Sequence, residues 1–284
     1  MSVVLHSAVV LLIFSPFSLV CSPHGRAQTR HPKWSYGGES DMLMPDTRSA
    51  INLVERWWPK GVICYEIEGN FSLYELDIIL EALRDGFNGT CIRLRNCRWE
   101  CGGDYVAIKN DEPNCFTDVG RLGGRQVMNL GEGCVYTGTV IHETMHALGF
   151  YHEHANPNRD DYLQIWEENI DPEMMHNFEK DDPEYVTDFG QPYDYCSITH
   201  YDERAFGINN SITMTPKCDV TCEMGFVEEL SPIDINKLNI MYDCPYPLNE
   251  VSAPTGCREI VSTTIQPTTD ENDCGASVED DCPE

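Results

Sequence analysis

The stretch His142-Glu143-Thr144-Met145-His146-Ala147-Leu148-Gly149-Phe150-Tyr151-His152-Glu153 decides how this 284-residue chain is read. His142 and His146 stand four apart, so on a helix they share one face. Two imidazoles so placed can meet one metal ion at about 2.0–2.1 Å each. Gly149 can adopt the left-handed conformation that stops a helix. The chain then doubles back, and His152 supplies a third ligand from another direction. Three protein ligands leave a fourth position for water, the arrangement of a catalytic rather than a structural zinc. Zinc lowers the pKa of such a water to about 7. Glu143, beside the metal, is placed to take its proton as general base while the metal polarises a peptide carbonyl. The chain holds only nine histidines. Three of them, with an acid and a glycine at these spacings, are poorly explained as an ordinary helix, although a lone H-E-x-x-H would only be suggestive.

Outward from this segment, Thr137–Leu148 reads as the metal-bearing helix. Upstream, Gly61–Ile67 (GVICYEI) has the composition of a short strand. Phe71 to Phe87 reads as a helix, opened by a Ser72–Glu75 capping box and carrying Leu76, Ile79, Leu80 and Leu83 at helical spacing. Ile92–Leu94, Tyr105–Ile108 and Gln126–Leu130 are further strands. After Gly149 the chain looks mostly irregular until a late helix, Ser231–Tyr242, with Ser231 as N-cap and Pro232 at its first position. The expected fold class is α+β with two lobes: an N-terminal lobe with a twisted sheet and the zinc-binding helix, and an irregular C-terminal lobe with one late helix.

The 19 basic and 47 acidic residues give a formal charge of −28. Such a surface repels phosphate, so nucleic acid is not an expected partner. Val3–Val20 is almost wholly apolar, and residues 1–22 read as a signal peptide, with a signal anchor as the alternative. No transmembrane segment is expected once the signal is removed. Residues 23–48 read as a propeptide, 49–244 as the globular domain and 245–284 as an acidic tail. Fourteen cysteines favour an oxidising, extracellular compartment. Thirteen lie past the leader, an odd number that leaves one free or bonded to another chain unless Cys21 survives processing. The three tail cysteines would make one loop plus an intermolecular bond; a disordered tail is equally compatible. Asn70, Asn88 and Asn209 open glycosylation sequons.

The pattern H-E-x-x-H-x-x-G-x-x-H marks the metzincins. With Glu153 after the third histidine, and with WPKGVICYEI, TCIRL, NCFTDVGR, GCVYTGTVIHETMHALGFYHEH, YDYCSITHY and DINKLNIMYDC along residues 57–244, the chain resembles the astacins. The resemblance implies a metzincin-like zinc protease domain: a secreted zinc metalloendopeptidase, made as a zymogen, holding one Zn2+ and acting on protein or peptide substrates after an activating protease has cut it. It implies ligand roles for His142, His146 and His152, the base role for Glu143, and oxyanion support from Tyr201. It implies that Glu153 meets the mature N-terminus, which would start near Arg48–Ala50, and that Cys91 pairs with Cys244 and Cys115 with Cys134. An aspartate blocks the metal in astacin proforms. Asp41 is the candidate for this zymogen switch, with Glu39 possible and a solvated linker acid the plain alternative. The resemblance also implies that a substrate pairs with an edge strand, expected at Arg125–Leu130.

Departures from the family pattern stand beside these implications. Thr199 replaces the methionine that lies beneath the zinc, bringing a hydroxyl that needs a partner when buried. Asn156 and Asn158 replace an Arg and an Asp. Cys64 and Cys196 are unusual, and a Cys64–Cys196 bridge is one possibility. Cys196 as a zinc ligand is a weaker one. Cys97 with Cys101, and Cys218 with Cys222, are spaced to close small loops, although their partners cannot be read from spacing. Because of Thr199, a catalytically impaired binding or host-interaction protein is the alternative function; the intact Glu143 argues against it. His154, His176 and His200 read as core or surface histidines.

Overall fold

The computed structural model describes residues 41–43, 54–96 and 103–251. The expected leader, most of the propeptide, the proposed cut site, the tail beyond 251, and Cys97, Cys101, Cys257, Cys274 and Cys282 lie outside them. Six strands form one sheet: β1 (Met42–Leu43), β2 (Val62–Ile67), β3 (Arg93–Asn96), β4 (Tyr105–Lys109), β5 (Cys115–Asp118) and β6 (Arg125–Leu130), in the order β1-β5-β6-β4-β2-β3. Strands β2, β3, β4 and β6 run parallel, whereas β5 is antiparallel to β6, with Cys115 opposite Leu130. A second sheet pairs β7 (Leu163–Ile165) with β8 (Met214–Pro216). Among the described residues the α-helices are α1 (Leu73–Asp85), α2 (Thr137–Leu148) and α3 (Pro232–Met241), with short 3-10 turns between elements.

Local chemistry accounts for the helix ends. At the start of α1, Ser72 and Glu75 exchange both capping-box hydrogen bonds, 2.8 Å from Ser72 N to the Glu75 carboxylate and 3.3 Å from Glu75 N to the Ser72 hydroxyl. Two amides that the helix leaves unpaired are thereby satisfied. Gly149 ends α2 at φ 108°, ψ 14°, a conformation that a side chain would strain. Ser231 caps α3, with Pro232 in its first turn and Asp234 closing a second capping box.

Two apolar cores follow. The first joins α1, α2 and the sheet, with Ile63, Ile79, Val106, Ile108, Met128, Val140 and Met145 buried together; the second, in the C-terminal part, gathers Leu163, Phe178, Tyr193, Tyr195, Tyr201 and Met214. Of the apolar residues expected on one face of α1, Ile79 and Leu83 are buried, but Leu80 is 41% exposed. It stands one position past Ile79, about 100° round the helix.

Three expectations need correction. Arg125–Leu130 is not an edge: β6 is flanked by β5 and β4, and the strand beside the metal histidines is β5, whose outer side carries β1. Cys196 bonds Cys222, at a Cα–Cα distance of 5.8 Å, so neither a Cys64–Cys196 bridge nor a Cys218–Cys222 loop exists. Cys64 is held on the inner strand β2, and the loop after Cys218 brings Cys222 to the turn that carries Cys196. Cys64 and Cys218 are themselves disulfide-bonded. The pairs Cys91–Cys244 and Cys115–Cys134 form as the family resemblance implied, with Cα–Cα distances of 5.3 and 5.7 Å.

The α1 packing makes a differential prediction. Ile79→Ala, which opens a cavity at a fully buried site, should cost about 2–5 kcal/mol. Leu80→Ala should cost well under half as much, and denaturant unfolding with the disulfides intact reads both. Equal losses would contradict this orientation of the helix.

Candidate metal centre

Helix α2 supplies two histidines and the turn after it supplies the third. The His142 Nδ1 lies 2.7 Å from the Ile198 carbonyl oxygen, and the His146 Nδ1 lies 2.7 Å from that of Phe150. A carbonyl oxygen only accepts, so each Nδ1 carries the proton, and Nε2 presents a lone pair. The two Nε2 atoms are 2.9 Å apart. His152 Nε2 is buried, makes no hydrogen bond, and lies 3.0 Å from the Asp41 carboxylate. Asp41 also stands 3.3 Å from His142 Nε2. One donor atom from each of Asp41, His142, His146 and His152 falls within 4.8 Å of the others.

Such a convergence of nitrogen lone pairs around a carboxylate, in a buried site, suits a cation. Imidazole donors on a helix at i and i+4 favour zinc. The orphaned Nε2 of His152 supports that fit, and so do the outer hydrogen bonds that hold His142 and His146 in the ligating tautomer. The donor set fits one zinc ion. Cys196 is excluded as a ligand because it is disulfide-bonded.

The charges respond to this crowding. Burial pushes the Asp41 carboxyl up, but the charge of His152 and contacts with His142 outweigh it and hold the group well below its ordinary value. For His142, burial pulls down, yet Asp41 wins and the net shift is upward. Burial, reinforced by the neighbouring histidines, keeps His146 well below its ordinary value. Burial also lowers His152, against the pull of Asp41.

Glu143 is fully buried beside the histidines. One carboxylate oxygen accepts from the Thr117 hydroxyl of β5 at 2.5 Å, and the other has no hydrogen-bond partner. Burial raises this acid to about 8, with His142 pulling the other way. Tyr201 donates to Asp41 at 3.3 Å, its ring 4.3 Å from that of His152 and stacked on His154 at 4.0 Å. His154 and His200 are buried outside the cluster, bonded to backbone oxygens of Asn177 and Tyr201.

Asp41 reaches the site because its own backbone is held there. Thr117 N donates to the Asp41 carbonyl at 2.8 Å, and β1 continues parallel to β5 with Met42 opposite Thr117. Beyond it, a cavity of about 340 Å³ borders Met42, His152, Tyr185, Val186 and Tyr201. Glu153 points away from the cluster. It meets the buried Lys237 ammonium at 2.5 Å and accepts from Asp194 N at 3.2 Å. The expected N-terminal partner of Glu153 lies outside the described residues. Asn70, Asn88 and Asn209 are all exposed.

Thr117, Ser197, Asp194, Asp234 and Lys237 escaped sequence reading. For Asp234 a signal existed: Ser231-Pro-Ile-Asp234 is a capping-box pattern. The others come together only through long-range folding.

Residues 50–243 match the peptidase family described as Astacin. The chain is 38% identical to zinc metalloproteinase nas-7 of Caenorhabditis elegans, over 76% of this chain and 56% of the relative. It is 37% identical to zinc metalloproteinase nas-8 of the same organism, over 83% and 57%. It therefore spans little more than half the length of these curated relatives. Among solved structures it is similar to high choriolytic enzyme 1, a hatching enzyme zinc-protease of medaka, Oryzias latipes. The TM-score is 0.60 at 35% identity, covering 66% of this chain and 94% of that one. With the family pattern, the sheet, the helix-borne histidines and these likenesses in agreement, the chain belongs to the astacin family.

Proposed function

We propose that this protein is a secreted zinc endopeptidase made as a zymogen. The observation that carries the reading is the meeting of His142, His146 and His152 with a buried, half-satisfied Glu143 beside strand β5. Bound there, zinc would polarise a peptide carbonyl and make a water acidic enough to attack at neutral pH.

The chain's own residues would do the rest. His142, His146 and His152 bind the metal, the first two pre-oriented by the Ile198 and Phe150 carbonyls. Glu143 is anchored through one oxygen by Thr117. Its other oxygen would take the proton of the attacking water and pass it to the leaving nitrogen. The Tyr201 hydroxyl would donate to the oxyanion that develops on the substrate. The outer edge of β5, which now pairs with β1, would pair with the backbone of an extended substrate.

In the same reading Asp41 is the zymogen switch. It contacts two of the three histidines and the Tyr201 hydroxyl, while its backbone occupies the edge of β5. Cleavage near Arg48–Ala50 by an activating protease would release it. Export is supported by the apolar leader, the exposed sequons and three disulfides among the described residues. Among the described residues no helix is long and apolar enough to cross a membrane. The impaired-binder alternative has Thr199 in its favour, but the ligand set and Glu143 stand intact.

Trypsin trimming of the full chain should release casein hydrolysis that a zinc chelator abolishes. Glu143→Gln should lower kcat by about 10²–10⁴-fold while zinc content, read by atomic absorption, stays at one per chain. A mutant as active as the parent would remove Glu143 from the chemistry. A zinc-loaded, correctly trimmed parent that cleaves nothing would defeat the peptidase reading itself. For the switch, Asp41→Asn should hydrolyse casein before trimming. If it stays as silent as the untrimmed parent, another group blocks the site.

A further inference from the structure

We propose that Asp234, acting through the Ile198 peptide in a turn braced by Ser197 and Thr199, is a positioning residue for the metal ligand His142. The proposal rests on the metal-dependent reading above and deepens it. Asp234 lies in the first turn of α3, on a different part of the chain from every ligand.

Both ends of Ile198 are engaged. Its N–H donates to one Asp234 carboxylate oxygen at 2.9 Å, and its carbonyl accepts from His142 Nδ1 at 2.7 Å. The other Asp234 oxygen accepts from the Ser197 hydroxyl at 2.7 Å. Because a carboxylate oxygen only accepts, the Ser197 hydrogen is committed to it. The Ser197 oxygen can then only accept from its remaining neighbours. It does so from Thr199 N at 3.2 Å and from the Thr199 hydroxyl at 3.0 Å. The hydroxyl that replaces an expected methionine is thus satisfied inside a relay from Thr199 to Ser197 to Asp234. Asp234, Ser197 and Thr199 are all buried, so each bond lacks competition from water.

The same turn touches the third ligand. Glu153 N, next to His152, donates to the Thr199 carbonyl at 3.3 Å. The Cys196–Cys222 bridge fixes the residue before Ser197. One short turn, held by α3, therefore backs both His142 and the His152 segment. Thr199 serves the metal by holding this turn with polar bonds, where a methionine would offer only apolar contact.

The test measures zinc affinity of the full chain by competition with a chelator, together with the visible spectrum of the cobalt-substituted protein. Thr199→Val keeps the shape and removes the hydroxyl. It should weaken zinc about tenfold, within the range seen when an outer partner of a ligand is lost, and shift the cobalt bands. Ser197→Ala should do the same, and it decides the matter if the valine variant fails to fold. Thr199→Ser should retain the parent affinity. After trimming, the valine variant should lose kcat with little change in KM. Parent affinity and an unshifted cobalt spectrum in both Thr199→Val and Ser197→Ala would overturn the proposal. So would Thr199→Met binding zinc as tightly as the parent. None of the binding measurements needs peptidase activity, so a parent that binds zinc but cleaves nothing would leave this proposal standing while defeating the other.

Discussion

Nitrogen lone pairs do not gather in a dry interior unless something positive is meant to sit among them. Two Nε2 atoms at 2.9 Å, with a third orphaned beside them, set the constraint that the surrounding elements meet. Helix α2 must stop at Gly149, or His152 could not return. The carbonyls of Ile198 and Phe150 must face inward, or the imidazoles would present their protons instead of their lone pairs. Strand β5 must run beside the helix, so that Thr117 can hold one oxygen of Glu143 while the other stays without a hydrogen-bond partner.

Behind the histidines lies a second buried polar layer, and it is heavily charged. Asp194, Asp234, Glu153 and Lys237 are all buried, with one ammonium among three carboxyl groups. Burial and the neighbouring Asp234 push Asp194 up to about 7, and burial likewise raises Asp234. Lys237 rises despite its burial because Glu153 and the two aspartates surround it. A layer of this kind is weak evidence for stability. Its observable effect is geometric: it joins the turn at 196–199, the segment after His152 and the helix α3 into one hydrogen-bonded unit.

Much of this was legible in the amino-acid order. Local chemistry wrote the capping boxes, the stop at Gly149 and the i, i+4 histidines, and those elements lie where the sequence puts them. What escaped was set by contacts distant along the chain. Strand β5 is four residues long and too short to announce itself by alternation, so the edge was assigned to its longer neighbour β6. Cys196 and Cys222 stand 26 positions apart; the sequence offered Cys64 for the one and the nearby Cys218 for the other, because spacing alone does not identify partners. Leu80 sits in an apolar run, and only packing shows that Ile79 and Leu83 take the inward face. Thr199 looked like a defect beneath the metal until its hydroxyl was seen to be bonded to Ser197.

The late position of α3 bears on the order in which the protein is made. A chain emerging N-terminus first presents α2, with two histidines, long before Asp234 follows. Cys91 likewise waits for Cys244, a separation of 153 residues. His146 has its Phe150 partner close by in the chain, but the Ile198 carbonyl that fixes the His142 tautomer lacks its Asp234 support until the last helix has docked. The complete set of oriented imidazoles is therefore a property of the finished domain, not of the signature segment alone. A chain stalled short of α3 would carry the family's signature residues without the geometry that gives them meaning.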